Sequence, residues 1–325
     1  MRYIELGRTK KKISKMGLGT WAIGGGPAWN GDMDERICID TIIKAVETGI
    51  NIIDTAPGYN FGNSEIIVGK ALKEVNREDV CLITKCGIVW DREGALFNKV
   101  GEKQLYKLLT PKSIRKEIED SLLRLKTDYI DVYMTHWQAV APYYTPISET
   151  VEELNKLKEE GKIKAIGAAN VNKKHILDYV AAGELDIVQG KYSVLDREIE
   201  QNLIPICNDN KITLQAYSPL EQGLLSGTIK RDYIPTGARA NKKWWQKDKL
   251  NNVIDMLDAW APFCKKYDTT IPALALAWVM NQGNNITLLS GATTPEQVVM
   301  NAYAADIKLT DEDKELMRDM ALALE

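Results

Sequence analysis

Two hydrophobic periods alternate along the chain. Short apolar runs, KMGLGTW (15–21), INIID (50–54), VCLITK (80–85), IDVYMTH (130–136), IKAIGAAN (163–170), LDIVQGKY (185–192), ITLQAY (212–217) and ITLLSG (286–291), are each followed by a longer stretch with helical spacing. Eight strand signals alternating with helix signals predict an α/β fold, a parallel (β/α)8 TIM barrel. The plainest helices lie in TPKSIRKEIEDSLLRLKT, where Thr110 or Ser113 caps and Pro111 fits the first turn, and in ISETVEELNKLKEEGK, where Gly161 fits a stop. Ahead of the first strand, RYIELGRTKKKISKMGLG has two short extended segments around a polar turn and predicts a β-hairpin closing the barrel bottom. No Gly-, Pro- or Ser-rich linker divides the chain, so residues 1–325 are expected to form one barrel domain. The stretches 86–109 and 220–246 are long connections after the third and seventh strands, where barrels of this kind build their active sites.

With 325 residues, 45% of them apolar, the chain can bury a large core. Its 42 basic and 45 acidic residues are scattered and leave a net charge of -3, which predicts no nucleic-acid partner. No run of about 20 apolar residues is present, so neither a membrane span nor a membrane partner is expected and the location is read as cytoplasmic. Cys38, Cys81, Cys86, Cys207 and Cys264 have no paired metal-type spacing, so they read as reduced, mostly buried thiols, with no disulfide framework and no metal site.

The register places four reactive side chains at or just beyond successive strand ends: Asp54, Tyr59 in the loop that follows, Lys85 and His136. Neighbouring strands lie roughly 4.8 Å apart, so these groups can converge at the barrel mouth. A nearby ammonium is expected to lower the phenol pKa from its usual value near 10, and a carboxylate keeps that ammonium charged and oriented. Such a tuned proton donor suits hydride addition to a carbonyl, whose oxygen becomes an alkoxide that must be protonated, with His136 hydrogen-bonding the same oxygen. Taken singly, Asp54 equally fits a helix N-cap and Tyr59 a packed aromatic, whereas a buried Lys85 demands a partner. His175, the only other histidine, reads as an ordinary helix residue.

At these residues the chain resembles the aldo-keto reductase superfamily. GLGTW, DTAPGYNFGNSEIIVGKAL, TKCG, SLLRLKTDYIDVYMTHW, GKIKAIGAANV, QGKYSVLDR, AYSPLEQGLLSG and SGATTPEQVVMN stand in that family's order over nearly the whole length. Within it the likeness is greatest to bacterial NADH-dependent methylglyoxal reductases, through GTWAIGGGPAWNGD, CGIVWDREGALFNKVG and GTIKRDYIPTGARANK. The resemblance implies that Asp54, Tyr59, Lys85 and His136 form the catalytic tetrad, with Tyr59 as proton donor. It assigns Asn170 and Gln189 to the nicotinamide carboxamide, Tyr217 to the ring, and Ser218, Leu220, Gly223 and Leu225 to the pyrophosphate loop. Gly19, Thr20, Trp21 and Asp54 are further cofactor-site residues, and Gly291, Thr293, Gln297 and Asn301 surround the adenosine ribose. Family members that prefer NADPH place Lys or Arg there for the 2′-phosphate. Gly291 and Gln297 are neutral and Glu296 would repel, which points to NADH, with NADPH as the alternative if Arg231 or Arg239 folds over from the long loop.

Aromatic residues crowd the expected mouth: Trp21, Trp29, Trp90 and, beside His136, Trp137. Together with His136 they are the candidate substrate walls, enclosing a small, largely apolar pocket for a short aldehyde or a 2-oxoaldehyde such as methylglyoxal, the expected carbonyl partner. The segment NKKWWQKDK is expected to form a flap or to cover the cofactor. Two rival functions remain open. Lys85 can serve a Schiff-base aldolase, although an adjacent Asp54 works against shedding its proton. The barrel can also serve as a cofactor-sensing regulatory subunit without significant turnover. The sequence leaves the oligomeric state open.

Overall fold

A computed structural model describes residues 1–324. In chain order the strands are β1 (Tyr3–Glu5), β2 (Lys12–Ser14), β3 (Met16–Gly19), β4 (Ile52–Asp54), β5 (Cys81–Cys86), β6 (Ile88–Val89), β7 (Ala95–Val100), β8 (Lys103–Lys107), β9 (Ile130–Thr135), β10 (Ile163–Ala169), β11 (Ile187–Lys191), β12 (Thr213–Tyr217) and β13 (Ile286–Gly291). Eight of them, β3, β4, β5, β9, β10, β11, β12 and β13, pair in parallel and close into a barrel through β13 and β3. Helices connect them, as the two hydrophobic periods predict. The helix Pro111–Leu125 starts with Thr110 Oγ1 accepting from Ser113 N at 3.3 Å, and Gly161, at φ 77°, ends the turn after the helix Ile147–Glu159.

Inside the barrel, Ile52, Ile83, Val132, Met134, Ala165, Ile187 and Leu289 pack against Leu6 and Ile13 from the antiparallel β1–β2 hairpin. The hairpin therefore plugs the bottom, and Gly7 N secures it by donating to Thr213 Oγ1 at 2.8 Å. Gly17 is required where β3 meets β4, because a Cβ there would stand 2.8 Å from Ile52 Cγ2. Outside the barrel, the helices bury their apolar faces in a single large cluster that also holds Trp244, Trp245, Trp260 and Trp278. Four of the five cysteines are buried and Cys264 is half-buried. Among the described residues, no helix is long and apolar enough to cross a membrane.

The two long connections are more structured than their sequences suggest. Residues 86–109 carry a three-stranded antiparallel sheet in the order β6–β8–β7, with a bulge between Leu96 and Asn98. Residues 220–246 consist of short 3-10 turns, and the WW pair is anchored rather than flap-like. Trp244 and Trp245 are 3% and 1% exposed, and Trp245 Nε1 donates to Glu221 O at 3.1 Å.

Candidate active site

Asp54 closes β4, and the adjacent strand β5 carries Lys85 to the same barrel end. Lys85 Nζ reaches Asp54 Oδ1 at 2.7 Å, Thr55 O at 2.9 Å and Tyr59 Oη at 3.2 Å, with both charged side chains at most 2% exposed. Asp54 is therefore not a helix cap, and the helix Asn63–Ala71 begins instead after Gly62. His136 lies one residue past β9 with its N–H on Cys86 O at 2.8 Å, and its ring sits edge-on to Tyr59 with centroids 5.7 Å apart. A buried hydroxyl cluster fixes the floor of this corner. Thr20 Oγ1 donates to Asp54 O at 2.8 Å, and the Ser64 hydroxyl is 2.7 Å from that of Thr20 and 2.9 Å from that of Thr55. All four sequence-predicted reactive groups thus converge. His175, by contrast, belongs to a capping box with Asn172.

Burial dominates the electrostatics. It raises the Tyr59 pKa above the ordinary phenol value, outweighing the pull of the Lys85 ammonium. This corrects the expectation of a lowered value: the phenol stays protonated, the form a donor needs. Burial works against the Lys85 charge, yet Asp54 and Tyr59 overcome it and hold the ammonium above its usual value. Asp54 is itself lifted by burial, against Lys85 and a hydrogen bond from Gln189. With the carboxylate and ammonium 2.7 Å apart in so dry a site, the pair stays charged because each is the other's main solvent. Burial, with a smaller contribution from Lys85, drops His136 well below its usual value, so the imidazole is neutral, and its Nδ1 has no partner among the described residues.

The residues expected to hold a dinucleotide ring the same mouth. Asn170 Nδ2 donates to His136 O at 2.9 Å, and Tyr217 Oη donates to Asn170 Oδ1 at 2.8 Å. Gln189 Nε2 donates to Asp54 Oδ2 at 2.5 Å. Above β3 and β13 an open strip remains: a Cβ on Gly291 would meet nothing within 4 Å, and one on Gly19 only Leu289 at 3.7 Å. A flat ligand fits that cradle. The loop after β12 runs through left-handed backbone at Ser218, Glu221, Gln222 and Gly223, with Gly223 at φ 96°. Glu221 holds it, its carboxylate accepting from Ser193 Oγ at 2.6 Å and from Lys191 Nζ at 2.9 Å. Leu225 and Thr20 are fully buried, so their side chains face the core rather than the cradle, while Leu220 is only half-buried. Beyond β13, Gln297 Oε1 accepts from Thr293 N at 2.9 Å and Asn301 Nδ2 donates to Gly291 O at 3.4 Å. Of the two loop arginines, Arg231 pairs with Asp255, away from Gln297, while Arg239 lies over Trp245 and against the Gln222–Gly223 turn, donating to Gln222 O at 2.9 Å.

The four tryptophans separate. Trp21 lies 6.2 Å from the Tyr59 ring and meets Trp29 edge-on at 5.2 Å, so Trp29 backs the tryptophan that faces the phenol. Trp137 meets Phe97 of β7 at 5.4 Å, with Lys107 Nζ of β8 4.6 Å above its ring. Trp90 turns aside to Phe61 and lines a separate cavity of about 280 Å³ behind the Tyr59 loop, next to Pro57 and Glu117. Phe97 and Lys107 escaped the sequence reading because the connection that carries them looked like a loop.

Fold and site together define an aldo-keto reductase: the chain belongs to the aldo/keto reductase family, whose model matches residues 15–321. The chain is 64% identical over all 325 residues, and over the whole of the relative, to the NADH-specific methylglyoxal reductase of Escherichia coli K12. It resembles a glycerol dehydrogenase structure from Gluconobacter oxydans, with a TM-score of 0.88 and 33% identity over 99% of this chain and 95% of that one. A Klebsiella pneumoniae aldo-keto reductase solved with NADPH matches with a TM-score of 0.74 and 25% identity, covering 99% and 96% of the two chains.

Proposed function

We propose that the protein is a cytoplasmic reductase of small 2-oxoaldehydes, methylglyoxal first among them, that uses NADH in preference to NADPH and works as one barrel domain. The observation that carries the chemistry is the contact of Lys85 Nζ with both Asp54 and Tyr59 Oη. The likeness at 64% identity over full length supports the substrate and the cofactor. When bound, the nicotinamide supplies the hydride.

Every other part belongs to the chain. The carbonyl oxygen sits between Tyr59 Oη and the neutral imidazole of His136, both of which donate hydrogen bonds to it. As negative charge builds there, Tyr59 gives up its proton, and the ammonium of Lys85, 3.2 Å away, stabilises the phenolate left behind. Asp54 keeps that ammonium charged and aimed. Asn170, Gln189 and Tyr217 position the nicotinamide. Ser218, Leu220, Gly223 and Leu225 bring the loop's backbone to the pyrophosphate, and Trp21, Trp29 and Trp137 exclude water from the mouth. Gln297 and Gly291 offer no cation to a 2′-phosphate, and the engagement of Arg231 with Asp255 supports the NADH preference. The Lys85–Asp54 ion pair argues against a Schiff-base aldolase, since Lys85 stays protonated.

The test is the initial rate of methylglyoxal reduction with NADH and with NADPH at matched subsaturating concentrations. A faster NADH reaction is expected. A faster NADPH reaction refutes the ribose assignment. No turnover with either cofactor on any short aldehyde refutes the reductase function and favours a cofactor-sensing subunit.

A further inference from the structure

Gln215 lies inside the barrel on β12, in register with Gln189 on β11, and is fully buried. A chain of polarity links it to the reacting corner. The Asp54 carboxylate can only accept, so the atom facing its Oδ2 at 2.5 Å must be the Gln189 N–H2. The second N–H of that group points at Gln215 Oε1, 2.7 Å away. Gln215 therefore presents its oxygen, and its own Nε2 is buried with no partner among the described residues. An orphaned amide N–H2 costs stability. With both its N–H bonds committed, Gln189 has only Oε1 left, and no hydrogen bond reaches that atom among the described residues.

We propose that Gln215 is a positioning residue: it locks the Gln189 amide so that Oε1 is the face offered to the N–H2 of the nicotinamide carboxamide. The inference rests on the cofactor reading given above. Without Gln215, the Gln189 amide keeps one anchor, Asp54, and its oxygen is no longer fixed in direction. Gln215 thereby couples recognition of the carboxamide to the charged pair that serves the proton donor.

The test compares binding of NADH and of its 3-acetylpyridine analogue, which keeps the carbonyl but lacks the N–H2, to the full-length protein and to Gln215→Met and Gln215→Leu. Wild type should bind the analogue about tenfold more weakly, the equivalent of one hydrogen bond. Both variants should lose about tenfold in NADH affinity and bind the two ligands within about threefold of each other. They should melt close to wild type, because the orphaned Gln215 Nε2 is removed while one Gln189 N–H loses its acceptor. Variants that keep the wild-type ratio overturn the proposal, as does a wild type that binds both ligands equally. A variant that loses NADH affinity but melts far lower and keeps the ratio reports only a packing role and also overturns it. A wild type that binds no NADH brings down the cofactor reading itself and this inference with it.

Discussion

Replacing Tyr59 by phenylalanine removes one oxygen and a single hydrogen bond from Lys85, which makes the consequence calculable. Lys85 keeps Asp54 Oδ1 at 2.7 Å and Thr55 O at 2.9 Å but loses the acceptor of its third N–H, so the fold should lose about 1.5–3 kcal/mol, the worth of one hydrogen bond to a charged group. The reaction loses its proton donor. A positioned acid contributes about 10²–10⁴ in rate, or about 3–5 kcal/mol of barrier, so kcat should fall by that factor. NADH affinity should stay within about threefold, because no carboxamide contact passes through the phenol. Single-turnover oxidation of NADH by methylglyoxal reads the first quantity, and quenching of the tryptophans by added NADH reads the second. A Tyr59→Phe variant whose kcat remains within tenfold of wild type would show that the proton comes from elsewhere, with His136 the next group to examine.

Further expectations concern charge. Lys85→Met strands the Asp54 carboxyl, 2% exposed, and should cost about 3–5 kcal/mol in chemical denaturation, whereas Asp54→Leu with Lys85→Met should recover most of it. If the double variant is no more stable than the single one, the pair is not what the site's stability depends on. Gln297→Arg should improve NADPH binding relative to NADH by about tenfold or more, and an unchanged ratio would refute the ribose assignment. Glu117 is raised to about 7, chiefly by burial, although Gly87 N and Ser113 Oγ donate to it at 2.8 and 3.0 Å. Because its folded pKa lies above the unfolded value, its share of stability is complete below about pH 4.5 and is lost as the pH rises through about 7. Glu117→Gln imitates the neutral acid, so it should stabilise by about 3 kcal/mol at pH 8 and by almost nothing at pH 4. Equal effects at both pH values would mean that the carboxyl does not titrate there.

The barrel and its reactive corner were legible for one physical reason: strand ends bring residues distant in sequence together, and polar groups at the end of an apolar run stand out. Asp54, Lys85 and His136 are such groups. What stayed hidden depended on contacts across the fold. The strands β7 and β8 bury only Ala95 and Leu105, so ALFNKV and KQLYK show no clean apolar alternation, and Phe97 reaches Trp137 only after the sheet folds over. The direction of the Tyr59 shift needed the burial of the site as well as its charges. Trp90 shares the composition of its neighbours, yet it faces a cavity behind the Tyr59 loop. Gln215 carried a faint signal, a polar residue two positions before Tyr217 in an otherwise apolar strand, but its partner was visible only in the register of β11 and β12.

The hairpin plug fixes the traffic of the reaction. With Leu6 and Ile13 sealing the bottom, both ligands pass through a single doorway. On the proposed cofactor reading, the dinucleotide and the carbonyl must therefore be loaded from the same end, so each can obstruct the other, and inhibition of NADH binding by excess methylglyoxal would measure that overlap.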